Sequence, residues 1–180
     1  QWRLLKSSNE REKALNQTFG FPKSVCEILA ARGKTDQELT EDYGTKTLED
    51  PFVLADMEKA VLRIREAIEL EHRIVIFGDY DCDGVCAAAI LYTYLLSVGA
   101  NVQVYIPERD NGGYGLNNDA IDELHKQKTE LLITVDNGIS ALNEANYLAS
   151  LGIDLIVTDH HIVEDKLPTA LAVVNPHRED

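Results

Sequence analysis

Three apolar runs in this chain each end in acidic or imidazole-bearing residues. Arg73-Ile74-Val75-Ile76-Phe77 leads into Gly78-Asp79-Tyr80-Asp81-Cys82-Asp83-Gly84, Leu131-Leu132-Ile133-Thr134-Val135 into Asp136-Asn137-Gly138, and Asp154-Leu155-Ile156-Val157-Thr158 into Asp159-His160-His161. Runs that are apolar throughout, rather than at every second residue, belong to strands buried on both faces, as in a parallel sheet covered by helices. In such a sheet, ligands bind in the crevice beyond the carboxyl ends of the strands. The three segments would therefore converge there. Five carboxylates and two histidines in one crevice repel each other unless cations sit between them. The pattern predicts a metal centre.

The surrounding sequence supports an α/β fold with a mainly parallel sheet and helices on both faces, preceded by a helical segment. The lead-in is expected over 1–52 and the α/β part over 53–180. Within the lead-in, Val25, Ile28 and Leu29 sit at helical spacing over 21–32, with Gly33 as a C-terminal cap. Thr35-Asp36-Gln37-Glu38 has the form of a capping box opening a second helix that Gly44 ends. A third helix is expected over 54–70, where Met57, Ala60, Val61, Ile64, Ala67 and Ile68 form one face. Strands at 73–77, 102–106, 131–135, 155–158 and 172–174 then alternate with helices at 85–98, 118–126 and 140–150. That alternation marks parallel strands joined by right-handed crossovers.

Composition narrows the function. The formal net charge of -14 argues against an autonomous nucleic-acid-binding domain, which carries a basic footprint. No apolar run approaches the ~20 residues that span a bilayer, so no membrane partner is expected. Cys26, Cys82 and Cys86 form no paired framework, which suits a reducing cytoplasm. Cys82 and Cys86 lack the second pair that a tetrahedral zinc site needs, and read as small apolar filler.

Each site residue also has a plainer reading. Asp81 and Asp83, two apart in a strand-like loop, put both carboxylates on one side, where they can share cations. An acidic helix cap explains one of them but not three aspartates within five residues. Asp136 fits an Asx turn, yet its place directly after an apolar strand aims it at the same crevice. In Asp159-His160-His161 one imidazole can enter the cluster while the other turns towards substrate, with the aspartate fixing a tautomer. Oxygen ligands with one or two imidazoles suit Mn2+ or Mg2+ better than zinc. His72 and His125 read as surface residues. Arg109, in the Gly-rich loop at 107–115, is a possible phosphate contact, and His177 a second substrate contact.

Taken in order, these motifs resemble the DHH phosphoesterase superfamily, named for the triplet at 159–161. Trp2-Arg3, Asp50-Pro51-Phe52, Asp56-Met57, Gly113-Tyr114-Gly115-Leu116 and Val174-Asn175-Pro176 are similar to its RecJ branch of single-strand-specific 5′-to-3′ DNA exonucleases. The resemblance implies a phosphodiester hydrolase using two Mn2+ or Mg2+ ions on single-stranded DNA in recombination and repair. By motif, Asp81, Asp83, Asp136 and His160 would be the metal ligands, with Asp136 bridging. His161 would act on the scissile phosphate or the leaving group, and Asp79 and Asp159 would orient the ligands.

The family pattern also carries a further aspartate downstream and a second domain, and neither lies within these 180 residues. The resemblance thus implies a cluster short of one ligand, a DNA-gripping surface located elsewhere, and little activity from the 180 residues alone. Two other readings share the motifs. One is a DHH enzyme acting on oligoribonucleotides or cyclic dinucleotides, which lacks the helical lead-in. The other is an inactive DHH replication scaffold, which would have lost motif carboxylates that this chain retains. A nucleotide-binding doubly wound domain is disfavoured, because no Gly-rich phosphate loop follows the first strand.

Overall fold

The computed structural model describes residues 8–43, 50–107 and 115–178. In chain order the elements are α1 (Asn9–Phe19), α2 (Lys23–Ala31), α3 (Asp36–Tyr43), a 3-10 turn (Pro51–Val53), α4 (Met57–Glu69), β1 (Ile74–Gly78), α5 (Cys82–Ser97), β2 (Val102–Tyr105), α6 (Asn118–Lys126), β3 (Leu131–Val135), α7 (Leu142–Ser150), β4 (Asp154–Thr158) and β5 (Ala172–Val174). They fall into two compact units, divided between Glu49 and Asp50.

The first unit is helical, with a small core of Leu15, Cys26, Leu29 and Leu39. Its expected capping box is present. The Thr35 amide donates to Glu38 Oε2 at 2.7 Å, and the Glu38 amide donates to Thr35 Oγ1 at 3.2 Å. Arg11 fastens α1 to the start of α3 through Asp36 Oδ1 and the Lys34 carbonyl, both at 2.6 Å. Gly44, expected to end the last helix, lies outside the described residues.

The second unit is a five-stranded, wholly parallel sheet in the order β2-β1-β3-β4-β5. Successive strand residues point to opposite faces. Ile74, Ile76, Ile133 and Ile156 accordingly pack with α4 and α5, while Val75, Phe77, Leu132 and Val157 pack with α6 and α7. Each fully buried aliphatic side chain of this kind contributes about 1.5–3 kcal/mol. The β1-α5-β2 crossover leaves β1 in one direction, and β2-α6-β3 returns past it to the other side. Right-handed connections then put α5 and α6 on opposite faces. Their paths diverge above β1 and β3. That divergence opens a crevice at the carboxyl ends of these strands, where ligands bind in open α/β sheets. Among the described residues no helix is long and apolar enough to cross a membrane.

Several boundaries differ from the sequence reading for local reasons. The helix expected from residue 54 begins at Met57, because Asp50 caps the 3-10 turn through the Phe52 amide (2.9 Å) and Asp56 takes a φ of 58°. The helix expected from 140 begins at Leu142, after a turn in which the Ala141 amide donates to the Gly138 carbonyl at 3.1 Å. Most consequential is α5, which starts at Cys82 rather than Val85. Asp81 is extended (φ -84°, ψ -175°) and its carboxylate accepts from the Gly84 amide at 3.0 Å. Asp83 is thus in the first helical turn, not in a strand-like pair with Asp81.

Candidate metal centre

Each carboxyl-terminal strand end delivers its share of the site by a separate local device. After β1, Asp79 is fully buried and its Oδ1 accepts from the Tyr80 amide at 2.7 Å. Gly84 packs directly on it: a Cβ there would lie 2.7 Å from the Asp79 nitrogen and oxygen. That close approach permits no side chain and sets the entry angle of α5. Asp81 then caps the helix through the Gly84 amide and also faces the crevice, its carboxylate within reach of Asp79 and Asp136.

After β3, Asp136 adopts a left-handed φ of 63°, a conformation that costs roughly 1–3 kcal/mol in a non-glycine residue and collects at functional sites. Its amide donates to the Thr158 carbonyl at 3.0 Å, which holds the turn against β4. Asn137 is 1% exposed and its Nδ2 donates to the Phe77 and Val135 carbonyls (3.2 and 2.9 Å), tying the ends of β1 and β3 together. The Asp-Asn-Gly motif suggested only a turn, and this clamp carried no signal beyond it.

After β4, Asp159 organises its own triplet. Its Oδ2 accepts from the Ile139 amide at 2.9 Å, and its Oδ1 accepts from the amides of His160 (2.7 Å) and His161 (3.1 Å). The same Oδ1 is 2.7 Å from His161 Nδ1. Burial pushes the Asp159 carboxyl up, but the bonds from Ile139, His161 and His160 outweigh it and hold the group below its ordinary value. In return the Asp159 bond raises the His161 imidazole against the effect of burial. Asn175, quoted in the sequence as part of the Val174-Asn175-Pro176 motif but given no role there, adds support just after β5: its Nδ2 donates to the His161 carbonyl at 3.0 Å while its Oδ1 accepts from the His177 amide at 2.8 Å.

These devices bring the expected residues together. Ligand atoms of Asp79, Asp81 and Asp136 lie within 4.8 Å of one another, and so do those of Asp136, His160 and His161. Asp136 belongs to both groups. His160 Nε2 lies 2.9 Å from Asp136 Oδ1 and 3.8 Å from Asp83 Oδ2, which places Asp83 at the exposed rim of the second group. Asp79, expected to orient the ligands, has a carboxylate oxygen within 4.8 Å of those of Asp81 and Asp136. His177 joins neither group, and Arg109 lies outside the described residues. His72 is not a free surface residue: its Nδ1 is 3.2 Å from Arg63 Nη2, and Arg63 Nε donates to Asp154 at 2.6 Å. His125 is exposed, as expected. Cys82 and Cys86 are also exposed, so they are not core filler.

The electrostatics call for a cation. Burial, followed by the charges of Asp83 and Asp81, pushes the Asp136 carboxyl up, and His160 only partly offsets this. The Gly84 amide holds Asp81 below its ordinary value against the effect of burial. Asp79 Oδ2 and Asp136 Oδ2 are buried without a hydrogen-bond partner, and leaving a charged acceptor so costs more than the ~1–3 kcal/mol of a neutral group. Two orphaned carboxylate oxygens in an oxygen-rich, imidazole-bearing cluster fit hard divalent ions of the Mn2+ or Mg2+ type.

Comparison with known proteins gives the same answer. Residues 73–180 match the family described as "DHH family, N-terminal domain". The chain belongs to the DHH family. Among curated DHH relatives, it is 35% identical over 179 residues to the single-stranded-DNA-specific exonuclease RecJ of Bacillus subtilis (strain 168), covering 98% of this chain and 23% of that protein. It is also 35% identical over 176 residues to RecJ of Escherichia coli (strain K12), covering 94% of this chain and 30% of that one. A crystal structure of exonuclease RecJ bound to manganese superposes with a TM-score of 0.66 at 36% identity, covering 72% of this chain and 33% of that chain. The chain is thus a RecJ-like DHH domain spanning less than a third of the length of these two curated relatives.

Proposed function

We propose that this DHH domain is the metal-binding half of a phosphodiester hydrolase that degrades single-stranded DNA from its 5′ end to mononucleotides, in recombination and repair. The observation that carries the reading is the position of Asp136, a buried carboxylate common to two ligand groups. Asp81 and Asp136, with Asp79 in reach, would hold one Mn2+ or Mg2+ ion. Asp83, Asp136 and His160 would hold the other. Such a pair supplies neutralisation of phosphate charge and a water of lowered pKa.

The chain's own residues provide the rest. Asp159 engages His161 Nδ1 and raises the imidazole's proton affinity, so His161 is set to present a proton to the leaving oxygen from Nε2. The Asn175 bond to the His161 carbonyl holds that ring's backbone in place. His177 and Arg109 remain substrate contacts by proposal only. The net charge of -14 disfavours single strands, which are usually gripped by a cationic groove. The proposal therefore assigns the gripping surface to residues beyond the 180 and expects little turnover from them alone.

The test is Mn2+-dependent digestion of 5′-phosphorylated single-stranded DNA by the intact gene product. Mononucleotide release from the 5′ end is expected. Release only from short oligoribonucleotides or cyclic dinucleotides would move the protein to another DHH activity.

A further inference from the structure

We propose that Cys82 and Cys86 form a reversible thiol-modification site, which closes to an intrahelical disulfide with small disulfides of the glutathione class and loosens the metal centre as it closes. The second half of this proposal rests on the metal reading above. Both cysteines are exposed, whereas Cys26 is buried in the other unit. They lie one helical turn apart on α5, on the same side. Cys82 is the first residue of the helix, flanked by the crevice carboxylates Asp81 and Asp83.

The geometry allows closure only with a distortion. Residues four apart on a helix have Cβ atoms about 5–6 Å apart. A disulfide needs roughly 3.5–4.5 Å between Cβ atoms. The first turn of α5 must tighten, and it has little freedom to do so alone. Asp81 is bonded to the Gly84 amide, and Gly84 is pressed against the Asp79 backbone. Tightening the turn therefore displaces the carboxylates of Asp81 and Asp83. A disulfide formed under such strain is readily reduced, which makes the modification reversible.

The chemistry balances without a further reagent. Cys86 sulfur attacks one sulfur of the small disulfide, giving a mixed disulfide, one released thiol and no net change in protons. Cys82 sulfur then displaces the second thiol from Cys86. Two protein S–H bonds are lost, one S–S bond forms between the cysteines, and the small disulfide takes up two electrons and two protons as two thiols. By linkage, an ion that holds Asp81 and Asp83 in place opposes closure by the same free energy with which closure weakens the ion.

The experiment equilibrates the chain in graded mixtures of reduced and oxidised glutathione. Peptide mass mapping reads the thiol state, and calorimetric Mn2+ titration is run on each form. The expected result is a Cys82–Cys86 disulfide with Cys26 still free, and Mn2+ affinity lowered about tenfold or more, as for other disturbances just outside a metal site. In Cys86→Ser the disulfide is absent and Mn2+ affinity no longer depends on the glutathione ratio. No disulfide at any ratio, or a glutathione adduct that never closes, overturns the site. Equal Mn2+ affinity in both forms overturns the coupling alone. Absence of Mn2+ binding in both forms overturns the metal reading together with the coupling, while the mass map still decides the disulfide.

Discussion

His160 Nε2 lies 2.9 Å from Asp136 Oδ1, so an imidazole delivered by the end of β4 meets a carboxylate delivered by the end of β3. The contact depends on both backbones. Asp136 turns inward through its left-handed φ of 63°, and His160 is held at its amide by Asp159. The candidate metal centre thus depends on how two strand ends are tied off as much as on the side chains that line it.

Asp159→Asn tests that tie. The carboxylate accepts from three amides and one imidazole, and an amide in its place turns a donor towards at least one of these donors. A loss of about 2–4 kcal/mol is expected, since hydrogen bonds to charged groups contribute ~1.5–3 kcal/mol each and buried donors are left unpaired. The folded-state shifts set the pH window. Asp159 is lowered, so its contribution is present above the ordinary 3.8 and is lost as pH falls through the folded value. His161 is raised, so its contribution is full below the ordinary 6.5 and is lost as pH rises through the folded value. The gap between wild type and variant in urea denaturation should be widest between those two pH values. A gap independent of pH would exclude the ion pair as its source.

Asp56, a member of neither ligand group, makes a separate pH prediction. Burial raises its carboxyl, but bonds from Lys59, Arg178 and the Val173 amide overcome this and bring it to about 2 from 3.8. A carboxyl lowered this far stabilises the fold by about 2 kcal/mol above pH 4, and the gain is lost as pH falls from 3.8 towards 2. Asp56→Asn should lower stability at neutral pH and flatten the acid limb of the stability profile. An unchanged acid limb would show that the Asp56–Arg178 pair, 2.7 Å apart, contributes nothing.

Gly84→Ala tests the junction between β1 and α5. The added methyl would sit 2.7 Å from Asp79 backbone atoms, which cannot move aside as a flexible side chain could. Overpacking of this kind costs typically 1–3 kcal/mol. Mn2+ binding should weaken as well, because the helix start carries Asp81 and Asp83. Thermal melting and calorimetry on one preparation measure both. Wild-type values in each would mean that the close approach constrains nothing.

Much of this arrangement was legible in the sequence, because the strands are uninterrupted apolar runs and a parallel order follows from their alternation with helices. The convergence of Asp81, Asp136 and His160 followed from the same rule about strand ends. What was not legible depends on side-chain choices that leave no periodic trace. Asp81 and Asp83 read as a strand-like pair because nothing in their spacing reveals that Asp81 caps Gly84 and starts the helix three residues early. Asp79 gave no sign that it reaches into the ligand group. The clamps of Asn137 and Asn175 work through carbonyls contributed by other strands, which a linear reading does not bring together. The exposure of Cys82 and Cys86 likewise depends on which side of α5 meets the sheet.

The central claim is that Asp136 holds the cluster's cations, and Asp136→Asn tests it most directly. Asparagine tolerates the left-handed conformation, so the turn survives. Neutralising the buried group also removes its repulsion with Asp83 and Asp81. The metal-free variant should therefore be as stable as wild type or more so. Calorimetric Mn2+ titration of the two proteins, each checked by thermal melting without metal, should show binding by wild type and a loss of at least about tenfold in the variant. Unchanged Mn2+ affinity in a folded Asp136→Asn protein would contradict the account.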